Sequence, residues 1–283
     1  HSLALPQPIL YEVCMSITLY TAPECIRCKI VKAFLAERDI PYATVDFKAD
    51  AQEFNAFYRA NRKAIYRNPE GVEFPLFNDG QVIKQGSGEI IAYLLSGHVL
   101  EACITRSDLL HGKIGGIYPS QCPDGQEENL CILVDRLAAG GLEVWLQTDG
   151  RKPDLLERLL AIKNVKAVLN AVGGAAATAA VYGGAPDTAA LAASIGLVRD
   201  IPGGGVRFLA MPLPGADGQW TWPRREDARD AAQMVAEAYG QPTLPYRVEA
   251  LPPDAAVDLH GLEPLPEQNL LLYRSAARQF LYK

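Results

Sequence analysis

The chain has 283 residues, 49% of them apolar and 21% charged, with a net charge of −6 and a pI near 5.3. At about 150 residues per domain this is material for two cores, and the composition is ordinarily globular, which excludes extended disorder. The acidic balance argues against nucleic acid as the main partner. The most apolar stretch, 167–184, is rich in Ala and Gly and gains too little at bilayer depth to read as a membrane span.

Residues 1–6 show neither a basic region nor a long apolar run, so no secretory signal is expected. Residues 1–14 are set aside as an N-terminal extension, with Met15 standing just before the first clear strand. The six cysteines, Cys14, Cys25, Cys28, Cys103, Cys122 and Cys131, comprise one close pair and four scattered residues. That usage fits a reducing cytoplasm better than a secreted disulfide scaffold.

In chain order, a strand at 17–20 leads through a turn with Pro23 into a helix over about 25–38. Ile30, Val31, Phe34 and Leu35 share one face of that helix at the 3.6-residue period. A strand at 43–47 precedes a helix at about 51–61, whose apolar face is Phe54, Phe57 and Tyr58. Strands at 73–77 and 81–84 flank Asn78-Asp79-Gly80, a hairpin signal, and Gly86-Ser87-Gly88 opens a helix through Leu94. The order over about 15–97 is βαβαββα.

Residues 98–112 read as a linker. From 113 to 283, helices at 126–139, 153–163, 187–195 and 225–239 alternate with strands at 142–147, 165–169, 206–211 and 247–250, and a last helix covers about 268–280. Such alternation implies a parallel sheet or a partial barrel. Residues 15–97 carry ten charges of each sign, so the net negative charge belongs to the second half. The basic cluster Arg59, Arg62, Lys63 and Arg67 reads first as a solvated helix end.

The sharpest chemical feature is Cys25-Ile26-Arg27-Cys28 at a strand-to-helix junction. Thiols at i and i+3 on a first helical turn can close a disulfide with little backbone movement. The helix N-terminus favours thiolate at Cys25, whose pKa is expected below the free value of about 8.5. Cys25 is then the nucleophile and Cys28 the resolving thiol. Zinc is the structural alternative, but it needs two further ligands at comparable spacing. No metal is therefore assigned to the pair. An inert reduced pair is the other alternative.

The segment Leu19-Tyr20-Thr21-Ala22-Pro23-Glu24-Cys25-Ile26-Arg27-Cys28-Lys29 resembles the active site of the glutaredoxins, within the thioredoxin-like superfamily. The resemblance extends to Phe74-Pro75, in the place of that family's cis-proline, and to Gly86-Ser87-Gly88-Glu89 before the last helix. It implies that Pro75 shapes the substrate groove and that the Phe74 backbone pairs with a glutathione peptide. It places a γ-glutamyl carboxylate on Ser87, Gly88 and Glu89 at a helix N-terminus, and a glycine carboxylate on Arg62 or Lys63. Two departures stand out: Cys-Ile-Arg-Cys replaces the family's Cys-Pro-Tyr-Cys, and the loop over 63–71 is longer than typical. They leave both glutathione and a protein disulfide open as substrate.

The second half resembles, more weakly, the later strands of a radical S-adenosylmethionine activase barrel. The resemblance rests on Gly115-Gly116-Ile117-Tyr118-Pro119, on Thr148-Asp149-Gly150 and on Met211-Pro212. It implies a truncated barrel without radical chemistry. The cluster-holding run of three cysteines is missing, as is the glutamate of the glycine motif, so no iron–sulfur cluster is expected.

Cys103, Cys122 and Cys131 read as buried thiols rather than a metal site. His98, His111 and His260 receive no catalytic role, and Gly173-Gly174, Gly183-Gly184 and Gly203-Gly204-Gly205 read as loops, turns or tight packing. Trp220 and Trp222 are expected to cover a core edge.

The reading is an α/β protein with a thioredoxin-like domain at 15–97, a linker at 98–112 and a β/α domain at 113–283. It is a cytoplasmic thiol–disulfide oxidoreductase without a bound cofactor, using glutathione or a protein disulfide. The second domain is a place for a protein partner. The rivals are a redox-sensing regulatory module and a vestigial accessory of a radical-enzyme activase.

Overall fold

The computed structural model describes residues 16–68, 71–105, 112–215, 217–241, 244–251 and 257–281. The extension 1–14 with Cys14, the linker residues 106–111 and His111 lie outside them. The chain divides into two units, His1–Ile90 and Ile91–Lys283. The sequence pattern puts the domain edge at 97, whereas this division falls inside a helix.

In the first unit, β1 (Ile17–Thr21), α1 (Ile26–Ala36), β2 (Tyr42–Asp46) and α2 (Ala51–Asn61) form a βαβ unit and its following helix. Then come β3 (Arg67–Asn68), β4 (Gly71–Val72), β5 (Leu76–Asn78), β6 (Ile83–Gln85) and the start of α3 (Ser87–Ser96). The sheet order is β2-β1-β5-β6, with β2 parallel to β1 and β5 antiparallel to both β1 and β6. As the central strand, β1 buries Leu19 completely, as expected of a strand covered on both faces. One side of the core gathers Tyr20, Val45, Phe54, Phe57, Ile65 and Leu76, where Tyr20 and Phe57 stack at 3.9 Å. α1 buries Cys28, Ile30, Val31, Phe34 and Leu35, the stripe set by its periodicity.

The strand expected at 73–77 begins only at Leu76. Pro75 has no N–H to donate to a ladder, so 73–75 is irregular, and the Phe74–Pro75 bond is cis. The expected loop before it carries the short antiparallel pair β3–β4.

In the second unit, residues 98–105 are more than a connector. A 3-10 turn over Val99–Cys103 buries Leu100 and Cys103, and Ile104 bridges to Ile117. There follow β7 (Lys113–Ile117), a 3-10 turn (Pro119–Gln121), α4 (Glu127–Ala139), β8 (Glu143–Thr148), α5 (Pro153–Leu160) and β9 (Val165–Ala171). Next are α6 (Ala175–Tyr182), α7 (Thr188–Val198), β10 (Gly205–Ala210), and the small pair β11 (Leu213–Pro214) and β12 (Trp220–Thr221). The unit ends with α8 (Arg225–Tyr239), β13 (Tyr246–Ala250) and α9 (Glu267–Leu281).

The alternation does make a parallel sheet. Its five strands lie in chain order, β7-β8-β9-β10-β13, and every neighbouring pair is parallel. When strand order never reverses, right-handed crossovers deliver all the helices to one face. Accordingly α4, α5, α7, α8 and α9 pack side by side in that order. Phe208 of β10 meets Tyr273 of α9 edge to face, so Val206, Phe208 and Ala210 point at the helix layer. Their alternates Arg207 and Leu209 point the other way. The same alternation sends Trp145 and Gln147 of β8, Asn170 of β9 and Glu249 of β13 to the face away from the helices.

Candidate dithiol site

Cys25 is the N-cap of α1, with extended backbone, and its Sγ accepts the N–H of Cys28 at 3.1 Å. The two cysteines are joined as a disulfide with Cα atoms 5.2 Å apart. Cys28 is buried and Cys25 half-buried, so the N-cap sulfur is the one presented outward. Glu24, just before it, takes φ +56°, a left-handed turn that ends the β1 loop and starts the helix at Ile26.

The second wall is the segment around Pro75. The carbonyl oxygen of Phe74 lies 4.0 Å from Cys25 Sγ. The Phe74 ring is anchored against Phe47 and Phe54, with centroids 5.1 and 5.5 Å away. The Pro75 carbonyl accepts the N–H of Gly86 at 2.9 Å, which ties this segment to the turn that starts α3. Ser87 and Gly88 are buried there, and the Ser87 hydroxyl is buried without a hydrogen-bond partner. Glu89, in the first turn of α3, is half-buried.

The fold therefore connects Cys25, Cys28, Phe74, Pro75, Ser87 and Gly88 through a short chain of contacts, with Glu89 adjoining. Arg62 and Lys63 stand on the surface at the C-terminal end of α2, outside the Cys25–Phe74 contact.

Two further groups hold the site, and the sequence reading passed over one of them, Gln85. Gln85, buried at the end of β6, accepts the Tyr66 N–H at 2.8 Å. It donates to the carbonyls of Tyr66 and Glu73 at 2.9 and 3.0 Å. It staples the longer loop to the backbone next to Phe74. The signal was an uncharged polar residue ending a strand immediately before Gly86. Arg27, inside the motif, is half-buried; burial pulls its guanidinium pKa below the usual value, and the charge of Glu73 opposes that.

In the second unit, the segments that carry its resemblance end up at corresponding places. Gly115 and Gly116 close β7 at a register shift, Thr148 ends β8 with Asp149 and Gly150 following, and Met211 follows β10. All sit at C-terminal ends of parallel strands. Ser120 and Thr148 hydroxyls are 2.9 Å apart, and buried Asp149 pairs with Arg151 at 2.9 Å.

The buried thiols of Cys103 and Cys122 are neighbours. The hydrogen bond between them raises Cys103 above its ordinary pKa and lowers Cys122, with burial adding to the rise at Cys103. Burial likewise pushes Cys131 up. Among the described residues no group of three His, Cys, Asp or Glu is placed to hold a metal. His98 pairs with Glu101 on the surface, and His260 stacks on Trp220 at 3.6 Å. Trp222 donates to the Glu263 carbonyl. Among the described residues no helix is long and apolar enough to cross a membrane.

No model of a known protein family matches the chain, and a search of curated proteins returns no significant match.

Proposed function

We propose that the first unit is a thioredoxin-like dithiol oxidoreductase, and within that class a glutaredoxin-like one acting on glutathione mixed disulfides or protein disulfides. The carrying observation is the half-exposed N-cap Cys25, bonded to buried Cys28 and facing the Phe74 carbonyl beside cis-Pro75. The β2-β1-β5-β6 order supports the same reading.

In the reduced protein the Cys25 thiolate attacks one sulfur of a substrate disulfide. One substrate thiolate leaves, and a mixed disulfide forms on Cys25. Cys28 gives up its proton and attacks Cys25 Sγ. The second substrate thiolate departs, and the Cys25–Cys28 disulfide closes. Two electrons pass from the pair to the substrate, and an external thiol restores the dithiol.

The Phe74 backbone aligns the substrate chain. The unsatisfied Ser87 hydroxyl and the N–H groups opening α3 receive a carboxylate, Glu89 lies in that same first turn, and Arg62 or Lys63 offers a cation to a second carboxylate. The second unit is a partial barrel resembling a radical-enzyme activase without the cluster cysteines, and the reaction is placed in the cytoplasm.

The test is mass spectrometry after incubation with oxidised glutathione. Cys28→Ser accumulates a covalent glutathione adduct on Cys25, and Cys25→Ser accumulates none. The opposite pattern reverses the roles. No adduct on either variant, with no reduction of a protein disulfide by the parent chain, removes the reading.

A further inference from the structure

A cavity of about 650 Å³ opens on the face of the five-stranded sheet away from α4, α5, α7, α8 and α9, beside the end of α6, within the range of small-molecule sites. Trp145, Tyr118 and Tyr182 supply aromatic wall, and Val168, Leu209 and Met211 supply aliphatic wall. Its floor is a row of polar side chains from successive strands. Arg207 donates through Nε to Asn170 at 2.7 Å, through Nη1 to Glu249 at 2.7 Å and through Nη2 to Gln147 at 3.4 Å. Asn170 donates to Gln147 at 2.9 Å. A parallel sheet buried on both faces has near-continuous apolar strands. Polar residues at this level on three adjacent strands, Gln147, Asn170 and Arg207, instead make a floor with a chemical preference.

That preference is for an acceptor. Among the described residues the wall contains two cations, Arg207 and Lys113, and no carboxylate, although the chain as a whole carries −6. Glu249 and Glu143 stand behind these cations, the latter 3.4 Å from Lys113, and fix them from outside the wall. The three bonds above use three of the five N–H groups of Arg207, one of them long, so donor capacity remains. The Tyr182 hydroxyl donates to the Met211 thioether at 3.8 Å, a weak acceptor that a ligand oxygen would improve on.

We propose that this cavity is a second binding site, for a small organic anion with an aromatic or aliphatic body, its charged end on Arg207 and its body against Trp145. The site is independent of the dithiol chemistry. Because acids back both cations, recognition rests on directed donors more than on net field.

Two fluorescent probes isolate the charge: 1-anilinonaphthalene-8-sulfonate, and N-phenyl-1-naphthylamine, the same ring system without the sulfonate. The full chain binds one sulfonate probe at least about tenfold more tightly than the neutral one, the worth of one charge-assisted hydrogen bond. Arg207→Gln abolishes that preference and leaves the neutral probe unchanged; Arg207→Lys keeps part of it, and Cys25→Ser keeps all of it. In a chain carrying Trp220→Phe and Trp222→Phe, Trp145 is the remaining tryptophan, and its emission is quenched as the sulfonate probe binds.

Equal affinities for the two probes overturn the proposal, as does unquenched Trp145. So does a preference that survives Arg207→Gln in a variant melting as cooperatively as the parent. Should Arg207→Gln fail to fold, Arg207→Lys replaces it, with a partial loss of preference expected and no loss overturning the assignment. Failure of glutathione adduct formation at Cys25 leaves this result untouched, so the two readings fail separately.

Discussion

Replacing Gln85 by Ala tests whether one buried amide holds the groove beside the cysteines. Three hydrogen bonds to main-chain groups are lost at once, those of Tyr66 N–H, Tyr66 C=O and Glu73 C=O. Gln85 is 8% exposed, so water does not simply take its place. At about 1 kcal/mol for each bond, with the abandoned buried groups adding to it, the loss is roughly 2–4 kcal/mol. For a unit of this size that lowers the urea midpoint by roughly 2 M. The first unit should unfold early by far-UV circular dichroism, with the second unit's transition unmoved. Because the Glu73 carbonyl adjoins Phe74, disulfide exchange at Cys25 should also slow by about tenfold, the cost of a modest misplacement of a positioning segment. A loss below about 1 kcal/mol would show that the staple is not holding the loop. Lost stability with unchanged exchange would show that the loop does not position the groove.

Gly204→Ala should destabilise the second unit by about 2–3 kcal/mol, since a Cβ there falls 2.4 Å from the Ala167 carbonyl oxygen. Gly196→Ala, in α7 with open space around it, should stabilise the unit by about 0.5–1 kcal/mol; thermal melts compare the two. Glu143 is held at a pKa of about 2 by hydrogen bonds from Lys166 and Trp145, against partial burial, with Lys113 assisting. Its folded pKa lies below the unfolded value, so its contribution is present above about pH 4.5 and lost as pH falls towards 2. Glu143→Gln should therefore cost about 1 kcal/mol near neutrality, after solvent screening, and almost nothing near pH 2 by urea titration.

Where the sequence carried a period, it carried the element. α8 spans the expected 225–239, and α1 buries the residues its 3.6-residue stripe names. α6 was invisible because Ala175–Tyr182 is nearly uniform in Ala, and a helix without an apolar stripe leaves no periodic signal. Its end was legible in principle, since Gly183 adopts φ +75° as the helix C-cap, which glycine does readily. The β11–β12 pair is too short to show alternation.

The Cys25–Cys28 motif was local and so was seen. The cavity floor was not, because Gln147, Asn170 and Arg207 are distributed over about 60 residues. Their common signal was a polar residue at an alternate position in each apolar strand. That pattern marks the face away from α4, α5, α7, α8 and α9, onto which the end of α6 packs at Leu209.

The physics at Cys25 also decides what the departure from Cys-Pro-Tyr-Cys means. Two features could favour its thiolate: the N-terminus of α1 and the guanidinium of Arg27. The first acts through a direct N–H contact at 3.1 Å, and a hydrogen bond to a charged atom contributes about 1.5–3 kcal/mol. The second is offset by Glu73, whose charge faces Arg27, so the pair acts on Cys25 as a dipole and contributes at most about 1 kcal/mol. The helix end wins, and it depends on the backbone rather than on the residues between the cysteines. Those residues decide something else. Ile26 is 40% exposed beside the outward-facing sulfur, and Arg27 stands half-buried next to it. On the proposed reading an incoming disulfide meets an aliphatic side chain and a cation where the glutaredoxins, which the segment resembles, present a proline and an aromatic ring. On the proposed reading, this chain departs from the glutaredoxin pattern in which disulfide it accepts and keeps the means of activating its nucleophile.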